Sequence, residues 1–142
     1  MHRFLARLVP VAVLLLAASG CGNGETPTEP EAPATILDTF PATEPGTLTL
    51  NGAFSFPFTV TVPGSMEAVL TQLEPDTTSP VGLALGTWNG SVCQIVLAVD
   101  TAIQGTRVLA NASAVGDYCA RVYDSTGTVV RPQTFRIVVA HQ

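Results

Sequence analysis

Phe54-Ser55-Phe56-Pro57-Phe58-Thr59-Val60-Thr61-Val62 alternates large apolar side chains with smaller or polar ones for nine positions. A period of two is that of a half-buried β-strand, because successive side chains point to opposite faces. It predicts that Phe54, Phe56, Phe58, Val60 and Val62 face a core. Pro57 interrupts the other face. Lacking an N–H to donate, it places this strand at a sheet edge or at a bulge.

Working outward, runs of the same kind recur at Met66 to Leu73, Val81 to Thr87, Val92 to Val99, Arg107 to Ala112, Tyr118 to Tyr123 and Thr134 to Ala140. Between them lie turn-forming groups: Asn51-Gly52, Pro63-Gly64, Glu74-Pro75-Asp76, Asn89-Gly90, Gln104-Gly105, Gly116-Asp117 and Ser125-Thr126-Gly127. Each Asn-Gly pair predicts a hairpin, since both central residues of a type I′ turn need positive φ. Short strands rich in Val and Thr, spaced at roughly 10-residue intervals, give an all-β fold. The expected architecture is an antiparallel β-sandwich of about eight strands, jelly-roll or immunoglobulin-like, preceded by a signal helix and a disordered tether. On the last strand but one, parity sends Tyr118 inward with Ala120 and Val122, and leaves Arg121 and Tyr123 on the opposite face.

Upstream of the sandwich the composition changes. Gly22 to Ala34 reads GNGETPTEPEAPA, which has no large apolar side chain to bury and enough proline and like charge to stay extended. Ahead of it come a basic start (His2, Arg3, Arg7), an apolar stretch from Leu8 to Ala18, and small residues up to Gly20. This is the layout of a secretory signal. Eleven helical residues rise only about 16 Å, well short of a hydrocarbon core roughly 30 Å thick, so the stretch is not a permanent span.

The run Leu16-Ala17-Ala18-Ser19-Gly20-Cys21 resembles the bacterial lipobox, with Ala18 in place of the usual Leu three positions before the cysteine. The resemblance implies cleavage before Cys21 and lipidation of its thiol by diacylglyceryl, with a further acyl chain, typically palmitate, on its amine. Two or more chains anchor stably where one does not. The expected organisation is a signal peptide at 1–20, lipidated Cys21 and a Pro/Glu/Thr-rich tether at 21–38, and the sandwich at 39–142. Ile36 to Phe40, where apolar residues return, is read at most as a loop packed on the domain.

Cleavage there removes two of the six basic residues and leaves four arginines against eleven acidic residues, a net charge near −7. There is no lysine. Nucleic-acid binding requires a basic face to neutralise phosphates, so nucleic acid is not an expected partner. With Cys21 consumed by lipid, Cys93 and Cys119 remain as an even pair in an exported chain and predict a disulfide.

The chemistry-bearing side chains are few. His2 is removed with the signal, His141 is one residue from the end, and no serine sits in a GxSxG turn with a base to activate it. No enzyme activity and no cofactor are expected. Asp76, Asp100, Asp117 and Asp124 sit near turns, where carboxylates bond local backbone; they are weak candidates for calcium, being dispersed rather than laddered. Trp88, just before a turn, and the outward Tyr123 are candidate ligand contacts through their rings.

The stretch Gly116-Asp117-Tyr118-Cys119-Ala120-Arg121-Val122-Tyr123-Asp124, followed by Phe135-Arg136-Ile137-Val138-Val139, resembles the ending of bacterial pre-peptidase C-terminal domains. Phe58-Thr59-Val60-Thr61-Val62-Pro63-Gly64 is similar to their strand into a glycine turn. The resemblance implies a jelly-roll-like β-sandwich, sometimes associated with binding or calcium-assisted stability, but this chain carries no peptidase. The expectation is therefore a non-catalytic lipoprotein of the bacterial cell envelope, membrane-anchored through Cys21. Gly22 in place of an aspartate favours the outer membrane. Its domain is expected to act as a binding or interaction module for an envelope protein or glycan. The alternatives are a structural or accessory subunit of an envelope complex, and a calcium-stabilised carbohydrate-binding module.

Overall fold

Alternation in the sequence becomes alternation of sheets in the structure, a computed structural model that describes residues 31–142. The signal segment, Cys21 and most of the tether lie outside the described residues. Nine strands follow one another: β1 (Ile36–Phe40), β2 (Gly46–Leu48), β3 (Ala53–Val60), β4 (Gly64–Glu74), β5 (Val81–Trp88), β6 (Cys93–Ala102), β7 (Arg107–Ala112), β8 (Gly116–Tyr123) and β9 (Gln133–His141). One sheet runs β1-β9-β4-β7, with β2 also on β9; the other runs β3-β8-β5-β6. All pairings are antiparallel.

β1 and β2 pair with successive stretches of β9, from Ile36↔His141 to Phe40↔Ile137 and then from Gly46↔Phe135 to Leu48↔Gln133. They form one interrupted strand, broken where Pro41 and Pro45 cannot donate to a ladder. The expected strand count of about eight is met when they are counted as one. The first three residues of β1, Ile36 to Asp38, fall in the range assigned above to the tether. They leave it because β9 offers a free edge for their backbone to pair with.

Among the described residues only β5 and β6 are neighbours both in sequence and in a sheet; apart from the break between β1 and β2, every other connection crosses between sheets. That order is the double Greek key of a jelly roll, and the immunoglobulin-like alternative, with its B-E-D run in one sheet, does not apply. It also corrects the reading of Asn51-Gly52. Asn51 does adopt φ 54°, and Gly52 N–H donates to the Thr49 carbonyl at 2.8 Å, but the turn carries the chain from β2 in one sheet to β3 in the other. Asn89-Gly90 is the true hairpin, though with only Gly90 at positive φ: the Asn89 carboxamide accepts from the Ser91 and Val92 N–H groups and closes a longer loop.

The inward faces meet in a core that includes Leu48, Phe58, Val60, Leu70, Leu83, Val122, Phe135 and Ile137, all buried. Each such side chain contributes about 1.5–3 kcal/mol by leaving water. β3 is an edge strand, as Pro57 requires, and this limits how far its apolar face is covered. Phe58 and Val60 are buried and Phe56 is half-buried, but Phe54 and Val62 are each 39% exposed. The expectation of five core residues therefore fails at its two ends: Phe54 leans on Phe135 but stays partly open on its edge strand, and Val62 lies past the last residue of β3.

Candidate functional site

Parity distributes the chemistry-bearing side chains over the outer face of the β3-β8-β5-β6 sheet. β8 turns Tyr118, Ala120 and Val122 inward and leaves Arg121 and Tyr123 outward, as expected. Tyr123 lies opposite Gly82 of β5, and a Cβ at Gly82 would stand 2.3 Å from the ring, so only glycine lets the phenol lie flat on the sheet. Its hydroxyl donates to Asp100 Oδ1 of β6 in a short hydrogen bond, and the Arg121 guanidinium sits 5.6 Å from the ring centroid. Burial, together with the hydrogen bond to Asp100 and its charge, pushes the phenol up to about 12, against a partly offsetting Arg121.

Cys93 and Cys119 form the expected disulfide, with Cα atoms 5.7 Å apart. Both belong to the same sheet: the bridge ties the first residue of β6 to β8 at the end of β5, where Cys93 lies opposite Trp88 and Cys119 opposite Gly86. Trp88 is half-buried beside it. The two proposed ring contacts are not brought together, since Trp88 ends β5 and Tyr123 pairs near its start, about 20 Å away at the strand rise.

The four aspartates are likewise held apart by separate partners. Asp76 caps its own turn, and the hydroxyl and N–H of Thr78 hold its carboxyl below the usual range. Asp100 serves Tyr123, and Asp117 accepts from Thr59 Oγ1 at 2.8 Å. For Asp124, burial raises the pKa, but backbone N–H groups from Asn51, Thr128, Val129 and Gly127 outweigh it and hold the carboxyl low. Asp124 thereby staples the β8–β9 connection to the Asn51 turn. Among the described residues no three His, Cys, Asp or Glu side chains converge for a metal ion.

His141 is 2% exposed, the ring lying 4.9 Å from Phe58, with Nε2 3.0 Å from Asp38 Oδ2. The pair was not singled out from sequence, although His141 continues the inward parity of Phe135, Ile137 and Val139. Its partner could not be found that way, because Asp38 is 103 positions distant.

A second feature had no signal in any single motif. In the β5–β6 ladder Leu85 faces Leu97 but Gly86 faces Ile95, so Val96 is an extra residue that bulges out, 74% exposed. A Cβ on Gly86 would stand 2.1 Å from the Gln94 carbonyl oxygen, so glycine is what permits the distortion. Where β6 bows, a cleft of about 150 Å³ opens between the sheets, with Met66 and Ala110 on one side and Leu85, Thr87, Tyr118 and Val96 on the other. The Tyr118 hydroxyl is turned to the Ala114 carbonyl at 2.9 Å. Along the same edge Val92, Ile95, Val96, Leu97 and, on β7, Leu109 are exposed.

No known family model matches the sequence, and no curated relative does. Among solved structures the chain is similar to the crystal structure of Yersinia pseudotuberculosis-derived mitogen (YPM), with a TM-score of 0.51 over 78% of this chain and 88% of that one, at 13% sequence identity. At that identity the likeness is one of fold, a β-sandwich, and carries no site or activity across.

Proposed function

We propose that this chain is a non-catalytic lipoprotein of the bacterial cell envelope whose sandwich is an interaction module, held to the membrane through lipid on Cys21 and working as an accessory subunit of a protein complex. The observation that carries the choice of a protein partner is the β6 edge. Val92, just before β6, and Ile95, Val96 and Leu97 on it are exposed; among the described residues β6 pairs with β5 alone, and no charged residue occurs from Val92 to Val99 in a strongly acidic chain. Apolar surface gathered on one edge marks a contact with another protein. The glycan reading needs an exposed ring beside a groove; half-buried Trp88 stands outside the cleft, and Tyr123 is engaged by Asp100.

Two measurements test the halves of this reading. Cys21→Ser should abolish detergent partitioning of the exported protein, and unchanged partitioning removes the lipid anchor. A photo-cross-linking residue at Val96 should capture an envelope protein in intact cells while one at Thr59, on the opposite edge, should not. Equal capture at both removes the β6 edge as the contact. Glycan binding that is lost in Trp88→Ala would instead support the carbohydrate reading.

A further inference from the structure

The cleft beneath the β6 bulge has a volume, a polarity and a charge that together restrict what can enter it. Its walls are apolar: Met66, Leu85, Ala110 and Val96 supply aliphatic or thioether surface from both sheets. The volume of about 150 Å³ matches that of an apolar protein cavity known to hold a single benzene ring, so one ring fills it and two do not. Ser113, just past the end of β7, stands at the rim, solvent-exposed and not bonded through its side chain to another residue among the described ones, which leaves a hydroxyl for a ligand. No Asp, Glu, Lys, Arg or His lines the space, and Tyr118, its one ionisable member, has its hydroxyl committed to Ala114.

An anion would leave water for an uncharged cleft in an acidic protein, a transfer with nothing to offset it. An uncharged ring loses only poorly hydrated surface, and a hydroxyl on that ring can keep a hydrogen bond at the rim. The geometry points to a binding site for one neutral, hydroxyl-bearing aromatic ring, of the phenol class, seated over Met66 and Leu85 with its hydroxyl at Ser113. The site is created by Gly86, because only a residue without a Cβ lets β6 bulge at Val96. It does not rest on the lipid anchor or on the protein contact proposed for the β6 edge, although Val96 borders both the cleft and that edge.

The test is a titration of the purified full chain, labelled in its Met, Leu, Val and Ala methyl groups, with phenol and with benzoate at neutral pH. Saturable shifts should be confined to Met66, Leu85, Val96 and Ala110, and benzoate should bind at least about tenfold more weakly. Ala110→Leu, which fills the space, should abolish saturation; Thr87→Leu fills it from the other sheet at an exposed position, should the first variant fail to fold. Ser113→Ala should weaken phenol about fivefold and leave benzene unchanged, the loss of one net hydrogen bond. Phenol shifts that do not saturate, that centre elsewhere, or that persist in both filled variants overturn the site. Benzoate binding as tightly as phenol overturns the assignment of a neutral ligand.

Discussion

Along the β1–β3 side of the sandwich the gap between the sheets is filled by rings, whereas along the β6–β7 side it stays partly open. On the closed side Phe40 stacks on Phe56 at 5.3 Å, Phe54 and Phe56 both contact Phe135, and Phe58 packs against His141, whose Nε2 is held by Asp38. On the open side β7 brings Ala110 and Ala112 to the gap, and the strand that could have closed it bulges at Val96. The jelly roll forces both margins to exist, because each sheet has two outer strands. What fills them is a matter of side-chain volume: five phenylalanines on one side, and on the other the alanines of β7 with a glycine that permits the bulge. The closed margin reads as a device of stability and the open one as a place for something else to bind.

The largest expected effect breaks the closed margin. Phe135→Ala removes a fully buried ring that meets Phe54, Phe56 and the Gly46 backbone, and should lower stability by about 3–5 kcal/mol in denaturant titrations. A loss below about 1 kcal/mol would mean that the rings do not hold the sheets together. Next comes the disulfide, which secures the open margin by tying β6 to β8 across a sequence separation of 26. Replacing both cysteines by serine should cost about 3 kcal/mol, and amide exchange should rise more in β6 than in β3. Uniform acceleration would show that the bridge supports the whole sandwich and not this margin.

A smaller effect sharpens the account of the bulge. Gly86→Ala forces a Cβ against the Gln94 carbonyl, so a cost of about 1–3 kcal/mol is expected, with shifted amide resonances in Gln94 to Leu97. Neutral substitution would detach the bulge from Gly86. The smallest effect is one of pH. Tyr123 is raised from 10.0 to about 12 in the folded chain, so its contribution is complete below pH 10 and fades as pH climbs through 12. Ultraviolet titration of the two tyrosines should show one phenol ionising late, and Tyr123→Phe should remove that late step. Persistence of the step in the variant would overturn its assignment to Tyr123.

Strand positions were legible from alternation, because a side chain's face is set by its place in the local run. β4 to β9 fall within a few residues of the runs read from sequence, and Tyr118 and Arg121 face as parity required. The ends of β3 were not legible. Phe54 and Val62 share the parity of Phe58, and it is their placement, one on an edge strand and one past its end, that leaves them partly exposed. Turn residues gave the corners without their destinations: Asn51-Gly52 and Asn89-Gly90 look alike, yet one changes sheet and the other makes a hairpin. The cysteine pair was legible by elimination, while its placement within one sheet depended on strand order.

For the candidate sites, sequence reading picked out rings and carboxylates one at a time. Trp88 and Tyr123 proved to stand at opposite ends of β5, and the four aspartates were each drawn to a different donor. The cleft has the opposite character, since its members Met66, Leu85, Val96 and Ala110 are unremarkable singly and come from four strands.

By itself the sequence determined the all-β class, the strand positions, the disulfide partners and the acidic, lysine-free surface, because these follow from periodicity, counting and composition. The tertiary structure alone decided the jelly-roll order, the interrupted first strand, the sealing of one margin by rings and the opening of the other. Those depend on which distant strands share a sheet and on a glycine meeting a carbonyl eight residues away, contacts that no local pattern encodes.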